Sequence, residues 1–268
     1  KPDLIKSIHR DYLEAGADII ETNTFNSTSI SLADYGMEKY AYDLNYAGAK
    51  IAKEVKDEFC NNTKNSEIFV AGSIGPTNRT ASLSPDVNDP GYRAVSFDNL
   101  VDCYSEQVLG LIEGGVDILF VETIFDTLNA KAALFAIDKI KSEKKLDIPV
   151  MVSGTITDAS GRTLSGQTVE AFVISISHIP LLSIGFNCAL GADQLLPYVK
   201  RLSNITNTYT SVHPNAGLPN AFGAYDQTAT EMSELIENYL KENIINIVGG
   251  CCGTKPEHIR LIAEVARN

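Results

Sequence analysis

Residues 249–253 read Gly-Gly-Cys-Cys-Gly, and a third thiol, Cys188, lies well upstream. Adjacent cysteines seldom pair with each other, because disulfide geometry demands separations and Cβ directions that consecutive residues rarely supply. Their sulfurs can converge on one ion where the backbone bends sharply, and Gly249, Gly250 and Gly253 permit that bend. Three protein thiolates leave one of zinc's four tetrahedral positions open, and open positions belong to catalytic sites. A thiol bound to zinc is deprotonated outright. A substrate thiol arriving as fourth ligand would stay electron-rich enough to attack an alkyl donor. Zinc hydrolases differ, using mostly histidine ligands to acidify water. Two plainer readings stand beside this one. Structural zinc needs a fourth protein ligand, but Cys60 lies at the end of one predicted helix and Cys103 inside another, both as packing residues. Alternatively, Cys251 and Cys252 are simple buried residues at a strand end.

The elements that must position these thiols follow from patterning. The apolar run Ile244–Val248 leads into the cysteine pair, and the run from Leu181 to Phe186 leads to Cys188, so all three sit at strand ends. Residues 17–22 (Ala-Asp-Ile-Ile-Glu-Thr) are echoed by residues 116–123 (Val-Asp-Ile-Leu-Phe-Val-Glu-Thr). Each copy follows an amphipathic helix that stops at glycine (Gly16; Gly114-Gly115), as a left-handed C-cap requires. Continuous apolar strands are those covered on both faces, as in parallel sheets. Strands are predicted near 17–23, 68–74, 117–123, 149–155, 182–188, 209–214 and 244–250. Helices are predicted at 3–15, 40–58, 97–113, 128–143, 167–177, 191–203, 228–241 and 256–266. The expected fold class is α/β, a (β/α)8 TIM barrel in one domain, 1–268, lacking its first strand in this chain because a helix comes first. The long polar loops 75–96 and 156–166 follow strands and belong to the face where barrel active sites assemble.

Composition narrows the partners. The chain has 268 residues, 44% hydrophobic and 21% charged, with a net charge of −12. That charge disfavours nucleic acid and anionic membrane surfaces. No apolar run approaches the roughly 20 residues of a membrane span, and the opening residues show no signal-peptide pattern. Five cysteines without a regular framework fit a reducing, cytoplasmic setting.

Gly249-Gly250-Cys251-Cys252-Gly253-Thr254, followed by Pro256-Glu257-His258-Ile259, resembles the signature of the homocysteine S-methyltransferases, and Gly185–Gly191 resembles their upstream ligand motif. Glu21-Thr22-Asn23-Thr24-Phe25, Gly75–Thr80, Glu122–Thr127 and Pro214–Pro219 are similar to the homocysteine-binding module of the cobalamin-dependent methionine synthases. The resemblance spans essentially the whole chain. It implies a barrel holding Zn²⁺ through Cys188, Cys251 and Cys252, with homocysteine bound through sulfur and methylated to methionine. It also implies methylcobalamin as donor, carried on another module, with folate, cobalamin and reactivation modules as partners in the same enzyme. A free-standing methyltransferase using a sulfonium or betaine donor is the alternative within the class, and a non-catalytic zinc- or thiol-binding module the alternative outside it.

For the substrate, Glu122 resembles the family carboxylate that holds the homocysteine ammonium, and its other reading is a cap on a neighbouring loop. Asn215 is placed to donate to the substrate carboxylate or to form a turn, and Thr22 and Asn23 to line the amino-acid pocket. Strand alternation points Asn187 away from the cysteine side, in a supporting role. His213 lies near a strand end, but three thiolates already suffice as ligands. His258 is expected on a helix face, and nothing marks His9 or His178. Asp126 and Asp158 follow strands, and a zinc-activated thiol needs no acid–base pair from them.

Overall fold

Each predicted apolar run becomes a strand flanked by helix in a computed structural model that describes residues 1–63, 67–157 and 159–267. Asp158 lies outside the described residues. In chain order the elements are α1 (Pro2–Glu14), β1 (Ile19–Glu21), a short α2 (Ser29–Leu32), α3 (Ala41–Thr63), β2 (Phe69–Ile74), α4 (Phe97–Gly114), β3 (Ile118–Ile124), α5 (Thr127–Lys144) and β4 (Val150–Gly154). There follow α6 (Val169–Ile176), β5 (Ser183–Gly191), α7 (Ala192–Ser203), β6 (Tyr209–Asn215), α8 (Ala229–Lys241), β7 (Ile247–Val248) and α9 (Pro256–Arg267). All neighbouring strands pair in parallel, in the sequential order β1 to β7.

Period-two alternation sorts the strand residues into two cores. A large one lies between sheet and helices and includes Ile20, Val70, Leu119, Val121, Val152, Ile184 and Val212. A small one fills the inside of the curl, where Ala71, Ile118, Phe120 and Met151 meet Ile19, Leu182 and Ile247. Strands buried on both faces are the reason their sequences read as unbroken apolar runs. Helix ends match the local chemistry. Ser96 with Asn99 and Thr228 with Glu231 form capping boxes. Gly16 and Gly115 take left-handed conformations, as the echoed motif requires.

Seven parallel strands make a curled, barrel-like sheet that is open between β1 and β7, which do not pair among the described residues. A cavity of about 670 Å³ lies there, walled by both edges and by α1 and α9. Residues 29–40 hold helical turns that patterning missed. Thr28 caps α2 by accepting from Ser31 N–H at 3.2 Å, a local interaction too short to show a period.

Candidate metal centre and substrate pocket

The three cysteines converge. Their sulfurs all lie within 4.8 Å of one another, and Cys188 Sγ is 3.7 Å from Cys252 Sγ. Zinc–sulfur bonds near 2.3 Å in a tetrahedron would set sulfurs ~3.8 Å apart. The convergence depends on a break in strand geometry. Cys188 (φ +63°) and Ala189 (φ +58°) are both left-handed, and the β5–β6 register shifts before pairing resumes at Gly191 and Asn215. Two successive left-handed residues reset the alternation, so Cys188 and its predecessor serve the same side.

Backbone hydrogen bonds hold the cysteine turn against β6. Cys251 N–H donates to Pro214 O at 2.7 Å, and Ala216 N–H donates to Cys252 O at 2.9 Å. Cys252 N–H donates to Asn215 Oδ1 at 3.1 Å. Gly253 closes the turn at φ +81°, where a side chain would also collide with the Tyr225 ring. The thiols share their protons unequally. A hydrogen bond from Cys251 holds the Cys188 thiol down, to about 6, and the same bond drives Cys251 upward. Burial raises Cys252.

Asn187 corrects the expectation from simple alternation. Its Oδ1 accepts from Thr123 N–H at 2.9 Å and Ser153 Oγ at 2.7 Å, while Nδ2 donates to Thr123 Oγ1 at 2.7 Å. Nδ2 also lies 3.4 Å from Glu122 Oε2 and 3.8 Å from Cys251 Sγ. One amide therefore ties β3, β4 and β5 to the cysteine turn. It also holds Thr123, a β-branched residue at φ +55°, in a conformation such residues rarely adopt. Asn187→Leu keeps the volume but leaves these groups unpaired at roughly 1–3 kcal/mol each. The melting temperature is expected to fall by roughly 5–15 °C in calorimetry. An unchanged melting temperature would contradict the hub role.

Glu122 is 7% exposed, faces the interior and accepts from Ser73 Oγ at 2.6 Å. Burial lifts its carboxyl to about 7. Asn23 lines the cavity beside Glu21 and Cys251. Thr22 points the other way, its hydroxyl 2.7 Å from that of Thr24 and accepting from Ser73 N–H. Asn215 is buried and serves the cysteine turn through Oδ1, and its side chain also bonds Cys188. His213 is buried against Phe120, not among the converging sulfurs. His258 fixes the start of α9, accepting from Lys255 N–H and bonding Gln227 O. Asp126 caps α5 and clamps the 75–96 loop through Ser82. Glu21 and Tyr225 escaped the residue-level reading. Glu21 was visible in the repeated Glu-Thr ending and at the head of the Glu21–Phe25 motif, without a role of its own, and no spacing signal marks Tyr225.

An α/β fold with thiols grouped at strand ends defines a thiol-centred enzyme of barrel type. The chain belongs to the homocysteine S-methyltransferase family, whose profile it matches over residues 1–266, and it is a methyltransferase. Its fold is similar to that of homocysteine methyltransferase MmuM from Escherichia coli in the metallated form. That likeness has a TM-score of 0.77 at 22% identity, covering 100% of this chain and 85% of that one. The apo form of the same protein gives 0.72 at 20% identity, over 99% and 86%. A 2-naphthoyl-CoA reductase gives 0.59 at 12% identity, over 94% and 44%. At such identities the likeness is one of fold. Among the described residues no helix is long and apolar enough to cross a membrane.

Proposed function

We propose that Cys188, Cys251 and Cys252 hold one Zn²⁺ and that the chain uses it to S-methylate homocysteine to methionine. The observation that carries this reading is the grouping of three sulfurs within 4.8 Å, at spacings that suit tetrahedral thiolate ligation with one position left for substrate. Bound there, zinc would supply a lowered thiol pKa and an electron-rich sulfur. The transfer forms an S–CH₃ bond on homocysteine, breaks the bond from methyl to its donor and releases the thiol proton. The residues of this chain orient the substrate around that event. Glu122 receives its ammonium, Asn23 and Asn215 border the amino-acid pocket, Thr22 supports the wall from behind, and Asn187 keeps Glu122 and Cys251 in register.

The donor is methylcobalamin, carried on a separate module. The chain, 1–268, acts as the homocysteine module of a multimodular cytoplasmic enzyme with folate, cobalamin and reactivation modules. The curled sheet is the greater part of a (β/α)8 barrel, the eighth strand position lying between β1 and β7. The motif likeness at 21–25, 75–80 and 214–219 supports this assignment.

X-ray absorption at the zinc edge tests the centre. Homocysteine is expected to raise the coordination from three sulfurs to four. Four sulfurs without substrate would mean a closed structural site and defeat the reading. Methionine formation from methylcobalamin tests the donor, and turnover with a sulfonium or betaine donor alone would replace it.

A further inference from the structure

Each of the three converging sulfurs meets a donor that is not a thiol. Asn187 Nδ2 lies 3.8 Å from Cys251 Sγ. The Asn215 side chain and the Ala189 N–H bond Cys188. The Tyr225 hydroxyl donates to Cys252. Bonds from one thiol to another end once an ion displaces their protons, whereas an amide or a phenol keeps its protons at neutral pH. Hydrogen bonds to ionised acceptors are the strong ones. One made to a thiolate occupies a lone pair that would otherwise attack carbon.

The need is greatest at Cys252. Cys188 and Cys251 are half-buried, but Cys252 is exposed and so the most open of the three to a methyl donor. Attack by Cys252 would form an S–CH₃ bond on the protein, break the bond from methyl to its donor and leave the electron pair on the donor. It would also turn a thiolate ligand into a neutral thioether, and zinc sites are built on the thiolate. Tyr225 is brought to this sulfur by the loop between β6 and α8. Pro219 and Tyr225 pair in an antiparallel bridge, and Asn220 N–H donates to Ala224 O at 2.8 Å. At the base of the loop, Ala216 N–H donates to Cys252 O at 2.9 Å. The ring lies against Gly253, where a Cβ would come within 2.5 Å of Tyr225 Cγ.

We propose that Tyr225 directs the methyl group to the substrate: its hydroxyl donates to the exposed ligand sulfur of Cys252 and keeps that sulfur from being methylated in the substrate's place. This deepens the zinc and homocysteine reading and rests on it. Tyr225 acts through Cys252, as a positioning residue, and Asn187 and Asn215 serve Cys251 and Cys188 in the same way.

The test exposes zinc-loaded wild type, Tyr225→Phe and Tyr225→Leu to methyl iodide, with and without homocysteine. Peptide mass spectrometry locates the methyl groups, and zinc content is measured before and after. Without homocysteine, Tyr225→Phe is expected to methylate Cys252 roughly tenfold faster than wild type, the worth of one hydrogen bond to a charged group, and to lose zinc in step. Methylation of Cys60, on α3, is the internal reference and should not change. Tyr225→Phe that matches wild type at Cys252 overturns the proposal. An increase in Tyr225→Leu alone also overturns it, because the ring would then shield by bulk. Equal increases at all three ligand sulfurs overturn it as well, since they report a loosened centre. Wild type that holds zinc but forms methionine no faster than homocysteine in buffer overturns the homocysteine reading, while the rates at Cys252 still decide the role of Tyr225.

Discussion

Cys251→Ala is expected to strip the chain of zinc and of methyl transfer together. Zinc content after dialysis against chelator should fall from about one ion per chain to about a tenth of that, because two remaining thiolates hold the ion far less tightly than three. Cys188→Ala should behave alike, although it removes a ligand from a different strand. Alanine sits no worse than cysteine at the left-handed φ of position 188, so that comparison isolates the sulfur from the backbone. Cys103→Ala is the control, since that thiol is buried in α4 away from the trio. Elemental analysis on the purified variants decides the matter. Full zinc retention in Cys251→Ala or Cys188→Ala would end the assignment, and zinc loss in the control would show that the centre lies elsewhere.

Gly185→Ala is expected to be the most damaging single-methyl change in the chain. A Cβ at Gly185 would lie 2.1 Å from Ser211 Oγ and 2.2 Å from Ser211 O. Gly185 and Ser211 are register partners on β5 and β6, so the obstacle includes backbone and cannot rotate aside. Overpacking of a core costs about 1–3 kcal/mol where side chains can yield, and this site belongs at or beyond the upper end. The melting temperature should drop by roughly 6–12 °C. The damage is also expected to reach the proposed metal centre. Cys188 continues β5, and the turn carrying Cys251 and Cys252 is bonded to β6, so prising the two strands apart separates the sulfurs. A double variant with Ser211→Gly should recover only part of the loss, because the carbonyl remains. Wild-type melting and zinc content in Gly185→Ala would show that the strand pair yields more than this contact allows.

Much of the architecture was legible because both of its periods are strong. Apolar runs ending in polar residues marked all seven strands to within a few residues, and glycine stops marked the helix ends before β1 and β3. The thiol trio was legible for a chemical reason, since few other arrangements account for neighbouring cysteines flanked by glycines. The orientation of Asn187 was not. Period-two counting assumes extended backbone throughout, and the left-handed pair Cys188-Ala189 breaks it at the residue of interest. Thr22 illustrates the converse, since extended geometry holds through β1 and turns its hydroxyl to the outer layer, where Thr24 meets it. The pairing of Glu21 with Glu122 joins strands that are not adjacent in the sheet, and no local pattern reports contacts of that kind.

Two of the three sulfurs are carried just past β7, which has two residues and, among the described residues, borders β6 alone. An edge so short frays readily, because only a few backbone bonds oppose its opening. Release of the metal should therefore be timed by excursions of this edge, not by the intrinsic lability of zinc–sulfur bonds. Exchange of isotopically labelled zinc and amide deuteration at 247–252 should then share one rate, and any ligand that pins the edge would slow both in equal measure.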